Sequence, residues 1–491
     1  MAERDDLRSA RERKLEELAS LHLPYLPNTY GPTRSAEDVK QAYETLEGAS
    51  VRVAGRLMSV RLMGKAAFAH IQDASGRLQL YFKLDVLGDT KFAYFKLLDL
   101  GDIVGAEGTV FKTRTGEVSI QVHDCVLLSK AYLPLPEKFH GLADVEMRYR
   151  QRYLDLISNE ETRQIFQRRS SIVTAVRTYL DSRGFMEVET PILQPLYGGA
   201  AANPFMTHYE VLHADVYLRI ATELYLKRLL VGGFDRVYEI SKDFRNEGFS
   251  RKHSPEFSML ELYQAYADYH DIMALTEDMI STVGHHVLGS CQIPYGGEEI
   301  DLTPPWRRLT ILEAVKEFGG IDLDDHPGTD LLVEEAHKRD IQVDPSSSRG
   351  EVIEELVSEL VEPRLVQPTF LHDYPIDFPG SLLAKRKSDN PEVTERFEVY
   401  LGGLEIGNGF TELNDPEDQR KRMEAAASQD GSSRQQVDRD FLTALEYGMP
   451  PAGGVGLGID RMVMVLTNAH HIRETILFPL LRPREEHHAE P

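Results

Sequence analysis

The stretch that decides the fold is residues 237–263, VYEISKDFRNEGFSRKHSPEFSMLELY. Two runs with the residue types of β-strands, VYEISKDFR and PEFSMLELY, flank a polar loop, NEGFSRKHS. Side chains alternate between the two faces of a strand, so every second residue of each run shares a face. Those sets are Val237, Glu239, Ser241, Asp243 and Arg245 in the first run, and Phe257, Met259, Glu261 and Tyr263 in the second. We therefore predict an antiparallel hairpin with a long, charged loop.

The hairpin loop carries the residue types that bind a nucleoside triphosphate. Arg245, Glu247, Arg251 and His253 lie within nine residues, and Phe257 follows shortly after them. Arginine binds phosphate through paired hydrogen bonds, an aromatic ring stacks on a base, and a carboxylate accepts from the adenine amino group. A surface hairpin rich in ion pairs would have the same composition. Both interpretations stay open from this loop alone.

The composition excludes several classes of protein. The chain of 491 residues is long enough for two to four domains, and its net charge of −24 is unlike that of a nonspecific nucleic-acid binder. Residues 51–85 are a basic exception, with six lysines and arginines against two aspartates. Two distant cysteines predict neither a disulfide framework nor a zinc cluster. No run is apolar enough for a membrane span and the N-terminus is too charged for a signal peptide, so we expect a cytoplasmic protein.

The N-terminal part of the chain predicts a small barrel. Residues 1–50 begin with a charged, solvated helix or mobile arm and continue as a connector rich in proline and glycine. Residues 51–130 hold five short strands separated by turn signals, which is typical of closed barrels that bind oligonucleotides. Phe68 could stack on an unpaired base and Gln79 could bind its edge, although the pattern alone favours a core position for Phe68.

The remaining segments between motifs are mostly structural. Residues 131–147 predict a hinge, and a helix is expected near 160–183, ending at Gly184. The strand FMEVETPIL is broken by Pro191 and belongs at a sheet edge, where it could contribute to a dimer surface. Residues 301–370 predict an acidic helical insertion, and the chain from Leu481 predicts a disordered tail.

Two further stretches carry candidate ligand-binding residues. The first is residues 197–232, in which Gly199 permits close approach of a ligand and Thr222 is predicted to cap a short helix that begins at Glu223. The other predicts a hairpin around Gly402-Gly403 in which Tyr400 pairs with Glu405, so that Glu398 and Glu405 share a face. Two such carboxylates suit Mg²⁺, although two acids on a solvated hairpin without a metal would have the same sequence pattern.

Beyond that hairpin, strict alternation puts Asn408, Phe410 and Glu412 on the face opposite Glu405, unless a bulge near Gly407 and Gly409 turns them inward.

A glycine-rich strand running into a helix follows at residues 453–466, GGVGLGIDRMVMVL. It matches neither GxGxxG nor GxxxxGK[ST], which excludes the dinucleotide-binding and P-loop motifs. Gly456 and Gly458 would instead lie beneath a nucleotide, with Arg461 at the helix start near phosphate.

Taken together, these segments resemble the class II aminoacyl-tRNA synthetases. FMEVETPIL resembles the first motif of that class, FRNEG with RKHSPEF the second, and GLGIDR the third. Within the class, YRQRYLDLI, YLRIATELYLKRLLVGG, MLELYQAYADYHD and GGLEIGNGFTELND are similar to the bacterial lysyl-tRNA synthetases. The resemblance extends from about residue 51 almost to the end of the chain.

The resemblance implies an α+β fold: an N-terminal five-stranded OB-fold barrel that binds the anticodon, and an antiparallel catalytic sheet with helices in residues 148–491. It also implies a homodimer, with ATP, L-lysine and tRNA(Lys) as substrates and Mg²⁺ bound with ATP. Arg245 and Arg461 would be catalytic. ATP would contact Arg245, Glu247, His253, Phe257, Asn408, Gly458 and Arg461. Lysine would contact Gly199, Glu223, Glu261, Tyr263, Phe410 and Glu412. Glu398 and Glu405 would bind the metal, and Phe68, Gln79, Glu117 and Arg61 the anticodon.

Two other functions compete with a lysine–tRNA ligase. A ligase that lysylates a protein would resemble the catalytic part but would lack the barrel of residues 51–128. A noncatalytic RNA-binding relative would have lost Arg245, Arg461 or Glu405, all of which are present here. The sequence therefore favours the aminoacylating enzyme.

Overall fold

The computed structural model describes residues 2–136, 144–344, 346–429 and 437–483. Within them the chain forms two compact units, residues 1–142 and 143–491. Part of the predicted hinge, residues 137–143, and most of the predicted tail, residues 484–491, lie outside the described residues. No helix in the described ranges combines the length and apolar character needed to cross a bilayer.

The first unit is a closed five-stranded barrel with strand order β1-β2-β3-β5-β4, as predicted. The barrel interior is filled by alternating apolar residues such as Val53, Leu80 and Ile120, which are fully buried. Its elements are α1 (Ala2–Ser20), α2 (Ala36–Gln41), α3 (Tyr43–Leu46), β1 (Ser50–Met63), β2 (Ala66–Gln72), β3 (Arg77–Lys83), α4 (Leu84–Lys96), β4 (Ile103–Lys112) and β5 (Val118–Ser129). The helix α4 lies between the third and fourth strands.

The N-terminal helix is attached to the barrel, which corrects the expectation of a solvated or mobile arm. Leu18 of α1 is fully buried in the apolar cluster of the barrel. Lys14 forms an ion pair of 2.6 Å with Asp99, and Arg11 donates to the carbonyl oxygen of Leu133 at 3.0 Å. The charged sequence is solvated on one helix face only, because the other face packs on the barrel.

The second unit is built on an eight-stranded sheet with order β14-β15-β16-β17-β18-β11-β10-β6. Neighbouring strands are antiparallel except at the two edges, where β14 and β15 are parallel and so are β10 and β6. The strands of this unit, including those of two smaller sheets (β12-β13 and β7-β9-β8), are β6 (Met186–Glu187), β7 (Leu193–Gln194), β8 (Met206–Tyr209), β9 (Ala214–Leu218), β10 (Arg236–Phe244), β11 (Glu256–Ala265), β12 (Gln292–Tyr295), β13 (Glu298–Asp301), β14 (Arg307–Thr310), β15 (Thr369–Pro375), β16 (Val393–Leu401), β17 (Leu404–Thr411) and β18 (Ala452–Gly458).

Helices cover both faces of this sheet. They are α5 (Val145–Arg150), α6 (Arg152–Ser158), α7 (Glu160–Ser182), α8 (Glu223–Val231), α9 (Tyr269–Leu288), α10 (Ile311–Ala314), α11 (Thr329–His337), α12 (Arg349–Leu356), α13 (Pro416–Gln429), α14 (Arg439–Glu446), α15 (Ile459–Thr467) and α16 (Ile472–Thr475). On one face, Leu260 and Leu262 of β11 join the main core with Ile172, Ile280 and Val463 of α7, α9 and α15. On the other face, α8 and α14 pack against Val237 and Tyr263.

Three predictions from the sequence bear on the position of the site. The hairpin of β10 and β11 is antiparallel, as predicted, and Glu239 lies opposite Glu261. The strand that begins the first class motif is short and lies at the sheet edge, as its proline predicts. The segment predicted as a helical insertion, 301–370, holds helices only in its middle, because β14 and the start of β15 belong to the main sheet.

Candidate active site

A cavity of about 500 Å³ lies on the face of the sheet that is opposite the main core. Its floor is formed by alternating residues of β11, from Phe257 to Tyr263, and by the glycines of β18. The extended chain from Phe257 to Tyr263 spans roughly 20 Å, so the cavity is long enough to hold a nucleotide and a second small molecule side by side.

The acidic end of the cavity holds three buried carboxylates, two of which contact one buried ammonium. Glu223, Glu261 and Glu412 are all nearly inaccessible to solvent, and Lys227 is fully buried. The Nζ atom of Lys227 lies 2.5 Å from Oε1 of Glu223 and 2.5 Å from Oε2 of Glu412. Oε2 of Glu412 is therefore occupied by Lys227, while Oε1 of Glu412 has no hydrogen-bond partner in the described residues. Three acids against one cation leave this end of the cavity in need of positive charge.

The protonation of these acids is perturbed by their burial. Burial and the neighbouring Glu223 raise the pKa of Glu412 to about 8, against the effect of Lys227. Burial, Asp243 and Glu223 likewise raise the pKa of Glu261 to about 8. Burial alone would lower the pKa of Lys227, but the carboxylates of Glu223 and Glu412 raise it above its ordinary value. A cationic ligand would therefore be bound with the loss of protons from these carboxyls.

Two hydrogen bonds fix Glu261 in the middle of the floor. Tyr263 donates its hydroxyl to Oε2 of Glu261 at 2.9 Å, and the backbone N–H of Thr222 donates to Oε1 at 3.2 Å. The predicted side-chain cap by Thr222 is therefore wrong, although the helix does begin at Glu223. The φ and ψ of Thr222 are helical, unlike the extended values of a usual N-cap residue, and its side chain makes no capping hydrogen bond.

The opposite end of the cavity is basic and aromatic. The guanidinium of Arg245 lies 5.1 Å from the ring centroid of Phe257, and its Nε is buried without a hydrogen-bond partner in the described part of the chain. Partial burial and the cations Arg461 and Lys252 lower the pKa of His253. An unpaired guanidinium beside an aromatic face has the geometry needed to bind a nucleotide phosphate next to a stacked base.

Arg461 lies on α15, one turn after the glycine-rich strand, as predicted. Its Nη1 donates to the backbone oxygen of Glu405 at 2.6 Å and to Oε2 of the same residue at 2.9 Å. Burial acts to raise the pKa of Glu405, but the Arg461 guanidinium outweighs it and lowers that pKa. Glu405 is therefore an ionised carboxylate facing the cavity.

The hairpin of β16 and β17 contains the bulge that the glycines suggested. Tyr400 pairs with Glu405 as predicted, but Val399 pairs with Gly407, so one residue of β17 is skipped. Glu398 then pairs with Asn408, which pairs in turn with Gly456. Because paired residues share a face, the bulge brings Asn408, and with it Phe410 and Glu412, to the same face as Glu398 and Glu405.

Close packing explains two glycines of the site. A Cβ atom on Gly454 would lie 2.4 Å from Oε1 of Glu412 and 2.4 Å from the ring of Tyr263. Gly199 has a φ of +85° and lies against the side chains of Ala221 and Glu223. Each glycine thus lets the backbone approach an acidic side chain that faces the cavity.

All but one of the residues predicted for ATP, lysine or metal line this single cavity. The exception is Glu398, whose carboxylate accepts from Arg396 Nη2 at 2.6 Å and from the Tyr400 hydroxyl at 2.6 Å. Sequence reasoning missed Lys227, although its spacing of four residues from Glu223 on one helix face is a recognisable signal. It also missed Met423 and Ala426 of α13, which line the cavity.

The barrel has a separate candidate surface for single-stranded nucleic acid. Ala67 and Ala69 point into the barrel core, so Phe68 points outward, and the expectation of a core position for it is wrong. Phe68 stacks on Tyr81 with 4.8 Å between ring centroids, and Tyr81 lies 5.9 Å from Phe111.

A polar network lies on the same strands. Gln79 donates to Oε2 of Glu117 at 2.7 Å, and His70 hydrogen-bonds Oε1 of Glu117 at 3.0 Å. Arg61 is exposed and pairs across the strands with Phe68. The four predicted residues therefore share one wall of the barrel, together with Tyr81, Phe111 and His70, which the sequence alone did not single out.

Comparisons with known proteins cover nearly the whole chain. A family model described as tRNA synthetases class II (D, K and N) matches residues 144–482, and one described as an OB-fold nucleic acid binding domain matches residues 51–128. The lysine–tRNA ligase of Moorella thermoacetica is 51% identical over 485 residues, covering 98% of this chain and 99% of the relative. That of Pelotomaculum thermopropionicum is 51% identical, with 98% and 96% covered, and that of Syntrophomonas wolfei 50%, with 98% and 97% covered.

Proposed function

We infer, from the membership of this chain in the lysine–tRNA ligase family of class II tRNA synthetases, the roles of the individual residues in its cavity. The chain is a ligase that activates L-lysine with ATP and transfers the lysyl group to tRNA. The observation that carries the choice of lysine is the buried carboxylate of Glu412, whose Oε2 contacts Lys227 and whose Oε1 has no hydrogen-bond partner in the described residues.

Charge supports lysine as the amino acid. With all acids ionised, Glu223, Glu261 and Glu412 together with Lys227 carry two uncompensated negative charges. Lysine brings two ammonium groups, so its binding would neutralise this end of the cavity. A neutral side chain would leave a buried carboxylate unpaired, and an acidic one would add a further negative charge, both of which are costly.

The direction of β11, from Phe257 to Tyr263, gives the order in which the parts of the amino acid lie in the cavity. We assign the ε-ammonium to Glu412 and Tyr263, at the end of the floor that is farthest from Phe257. The α-ammonium is assigned to Glu223 and Glu261, with Gly199 against it, and Phe410 packs along the aliphatic chain. This orientation leaves the substrate carboxylate directed toward Arg245, where the nucleotide would lie.

ATP is assigned to the basic end. Phe257 would stack on adenine, Glu247 would accept from its amino group, and Asn408 and Gly458 would contact the nucleotide from the floor. Arg245 would bind the α-phosphate, and His253 and Arg461 the outer phosphates. The unpartnered Nε of Arg245 supports this assignment, because a buried N–H group without a partner is costly unless a ligand accepts from it.

The reaction needs no nucleophile from the protein. An oxygen of the lysine carboxylate attacks the α-phosphorus of ATP, the bond to the bridging oxygen breaks, and pyrophosphate leaves with that oxygen. Arg245 contacts both reacting groups, so it stabilises the charge that develops on the phosphorus oxygens. In the second step the terminal ribose 3′-hydroxyl of tRNA attacks the lysyl carbonyl and AMP leaves. The protein contributes position and electrostatics to both steps.

The chemistry of two carboxylates suits a divalent metal, although only Glu405 of the two lines the cavity. Glu398 and Glu405 lie on the same face of one hairpin, and Mg²⁺ in nucleotide sites takes one or two carboxylates together with phosphate oxygens. We assign the metal to these two residues; it would neutralise phosphate charge when ATP is bound. Glu398 would have to give up its contact with Arg396 or Tyr400, and Glu405 its contact with Arg461.

The tRNA would be bound by the barrel through its anticodon. Phe68 with its stacked neighbours offers a base platform, and Gln79, Glu117 and Arg61 offer polar contacts to base edges and backbone. We also propose a homodimer, which the exposed apolar residues Leu193, Met206, Val211 and Leu212 support. We expect the protein to act in the cytoplasm, where charged tRNA is used.

Pyrophosphate exchange with each amino acid in turn tests the assignment of substrate. We expect exchange driven by lysine alone, followed by charging of bulk tRNA with labelled lysine. Exchange driven by aspartate or asparagine and not by lysine would contradict the assignment. Lysine-dependent exchange without charging of any tRNA would favour the alternative ligase that modifies a protein.

A further inference from the structure

We propose that Lys227 is a positioning residue of the amino-acid site. Its ammonium binds one oxygen of Glu223 and one oxygen of Glu412, so that the second oxygen of each carboxylate is left for an ammonium group of the substrate. This inference rests on the proposed function, because it assumes a substrate with two ammonium groups in the cavity.

The geometry joins a helix to a strand through one side chain. Lys227 and Glu223 are one turn apart on α8, and Glu412 directly follows β17. The Nζ atom lies 2.5 Å from Oε1 of Glu223 and 2.5 Å from Oε2 of Glu412. The remaining oxygen of Glu412, Oε1, is the atom that lies above Gly454 and faces the cavity. Lys227 thus orients both acids while lying outside the cavity lining itself.

The charge balance gives Lys227 a role beyond holding α8 in place. Without its ammonium, three buried carboxylates would face a substrate that brings two ammonium groups. One carboxyl would then have to stay protonated or pay the cost of an unpaired buried charge. With Lys227 present, the two ammonium groups of a diamino acid balance the charge that remains on Glu223, Glu261 and Glu412. The side chain of Lys227 therefore determines how many ammonium groups of a substrate the pocket can bind.

A change at Lys227 should alter the pH dependence of lysine recognition. The groups that face Glu412 are Lys227 and Glu223 from α8, Tyr263 from β11, and the backbone of Gly454 from β18, and Tyr263 in turn donates to Glu261. Removing the one cation of this set raises the pKa of Glu412 further, because nearby opposite charge had lowered it. The ionised form that binds an ammonium would then be present only at higher pH.

The test is pyrophosphate exchange by the full chain with wild type and Lys227→Met, measured at pH 7 and pH 9. Starting from a pKa of about 8 for Glu412, an upward shift of about one unit raises the ratio of kcat/KM for lysine between pH 9 and pH 7 about fivefold. We also expect kcat/KM for lysine at pH 7 to fall roughly tenfold or more, with KM for ATP nearly unchanged. Lys40→Met, on an exposed side chain of the other unit, is the matched control.

A charge-restoring variant separates positioning from a structural role. Lys227→Met combined with Glu223→Gln removes one cation and one acid, so the pH ratio should return toward that of wild type even though activity stays low. An unchanged pH ratio in a folded Lys227→Met protein overturns the role of Lys227 while leaving the proposed function intact. Absence of lysine-dependent exchange by wild type overturns both. Lys227→Gln is the second variant, and failure of both single variants to fold would assign Lys227 a purely structural role.

Discussion

The substitution Glu412→Gln tests the lysine pocket most sharply. The change keeps the shape of a fully buried side chain and removes its charge. It deletes one charge-assisted hydrogen bond to the substrate, worth about 1.5–3 kcal/mol. It also leaves the ε-ammonium of lysine buried beside a neutral amide, which raises the total loss to about 3–4 kcal/mol. At about 1.36 kcal/mol per factor of ten, kcat/KM for lysine should fall roughly 200-fold to 1,000-fold.

The assay is lysine-dependent pyrophosphate exchange with separate titrations of lysine and ATP. The loss should appear in kcat/KM for lysine, while KM for ATP stays within about threefold, because Glu412 lies at the end of the floor away from Arg245 and Phe257. The matched control is Glu298→Gln, the same chemical change on an exposed residue of β13. A Glu412→Gln protein that activates lysine within about threefold of wild type would refute the assignment of the ε-ammonium.

Four further outcomes follow from the same contacts. Arg245→Ala should reduce adenylate formation roughly 1,000-fold with tRNA affinity nearly unchanged, and retained exchange would exclude its role at the α-phosphate. Phe68→Ala should weaken tRNA binding by about 1–3 kcal/mol in a filter-binding assay without changing exchange; equal affinity would remove it from the anticodon surface. Gly454→Ala places a Cβ atom 2.4 Å from Oε1 of Glu412, so KM for lysine should rise about tenfold or more, whereas an unaltered KM would mean that this contact is unimportant. Thermal unfolding should show lower stability of the ligand-free protein as pH rises from 5 through 8, with a shallower slope in Glu412→Gln; identical slopes would contradict the raised pKa.

The sign of that pH dependence follows from the direction of the pKa shift. Burial raises the pKa of Glu412 to about 8 in the folded chain, so between its unfolded value and pH 8 the folded state holds a proton that the unfolded state has lost. Stability from this group is complete at low pH and is lost as pH rises through the folded pKa. Bound lysine, which favours the ionised carboxylate, should therefore stabilise the protein more at pH 8.5 than at pH 6.

Local patterns in the sequence predicted the elements that carry the site. Alternation defined the faces of β10 and β11, because side chains along a strand alternate whatever they later contact. The glycine pair at 402–403 fixed the register of Tyr400 with Glu405, and the glycines at 407 and 409 indicated the bulge near them. The family resemblance, which the comparisons confirm, then predicted that these segments belong to one enzyme.

What the sequence could not supply depends on contacts between distant segments. Phe68 was expected in the core because aromatic residues are usually buried, yet Ala67 and Ala69 fill the barrel and leave Phe68 outside. The N-terminal helix looked solvated because its buried residues are few among many charges. Lys227 was overlooked because its importance comes from Glu412, which is far away along the chain and approaches only when α8 packs against the sheet.

The most direct measurement is a crystal structure of the protein with L-lysine and a nonhydrolysable ATP analogue. We expect the ε-ammonium within about 3 Å of the Glu412 carboxylate and near the Tyr263 hydroxyl, and the α-phosphate within a similar distance of Arg245. A lysine whose ε-ammonium points away from Glu412, or a nucleotide bound outside the cavity that holds Phe257 and Arg461, would contradict the account.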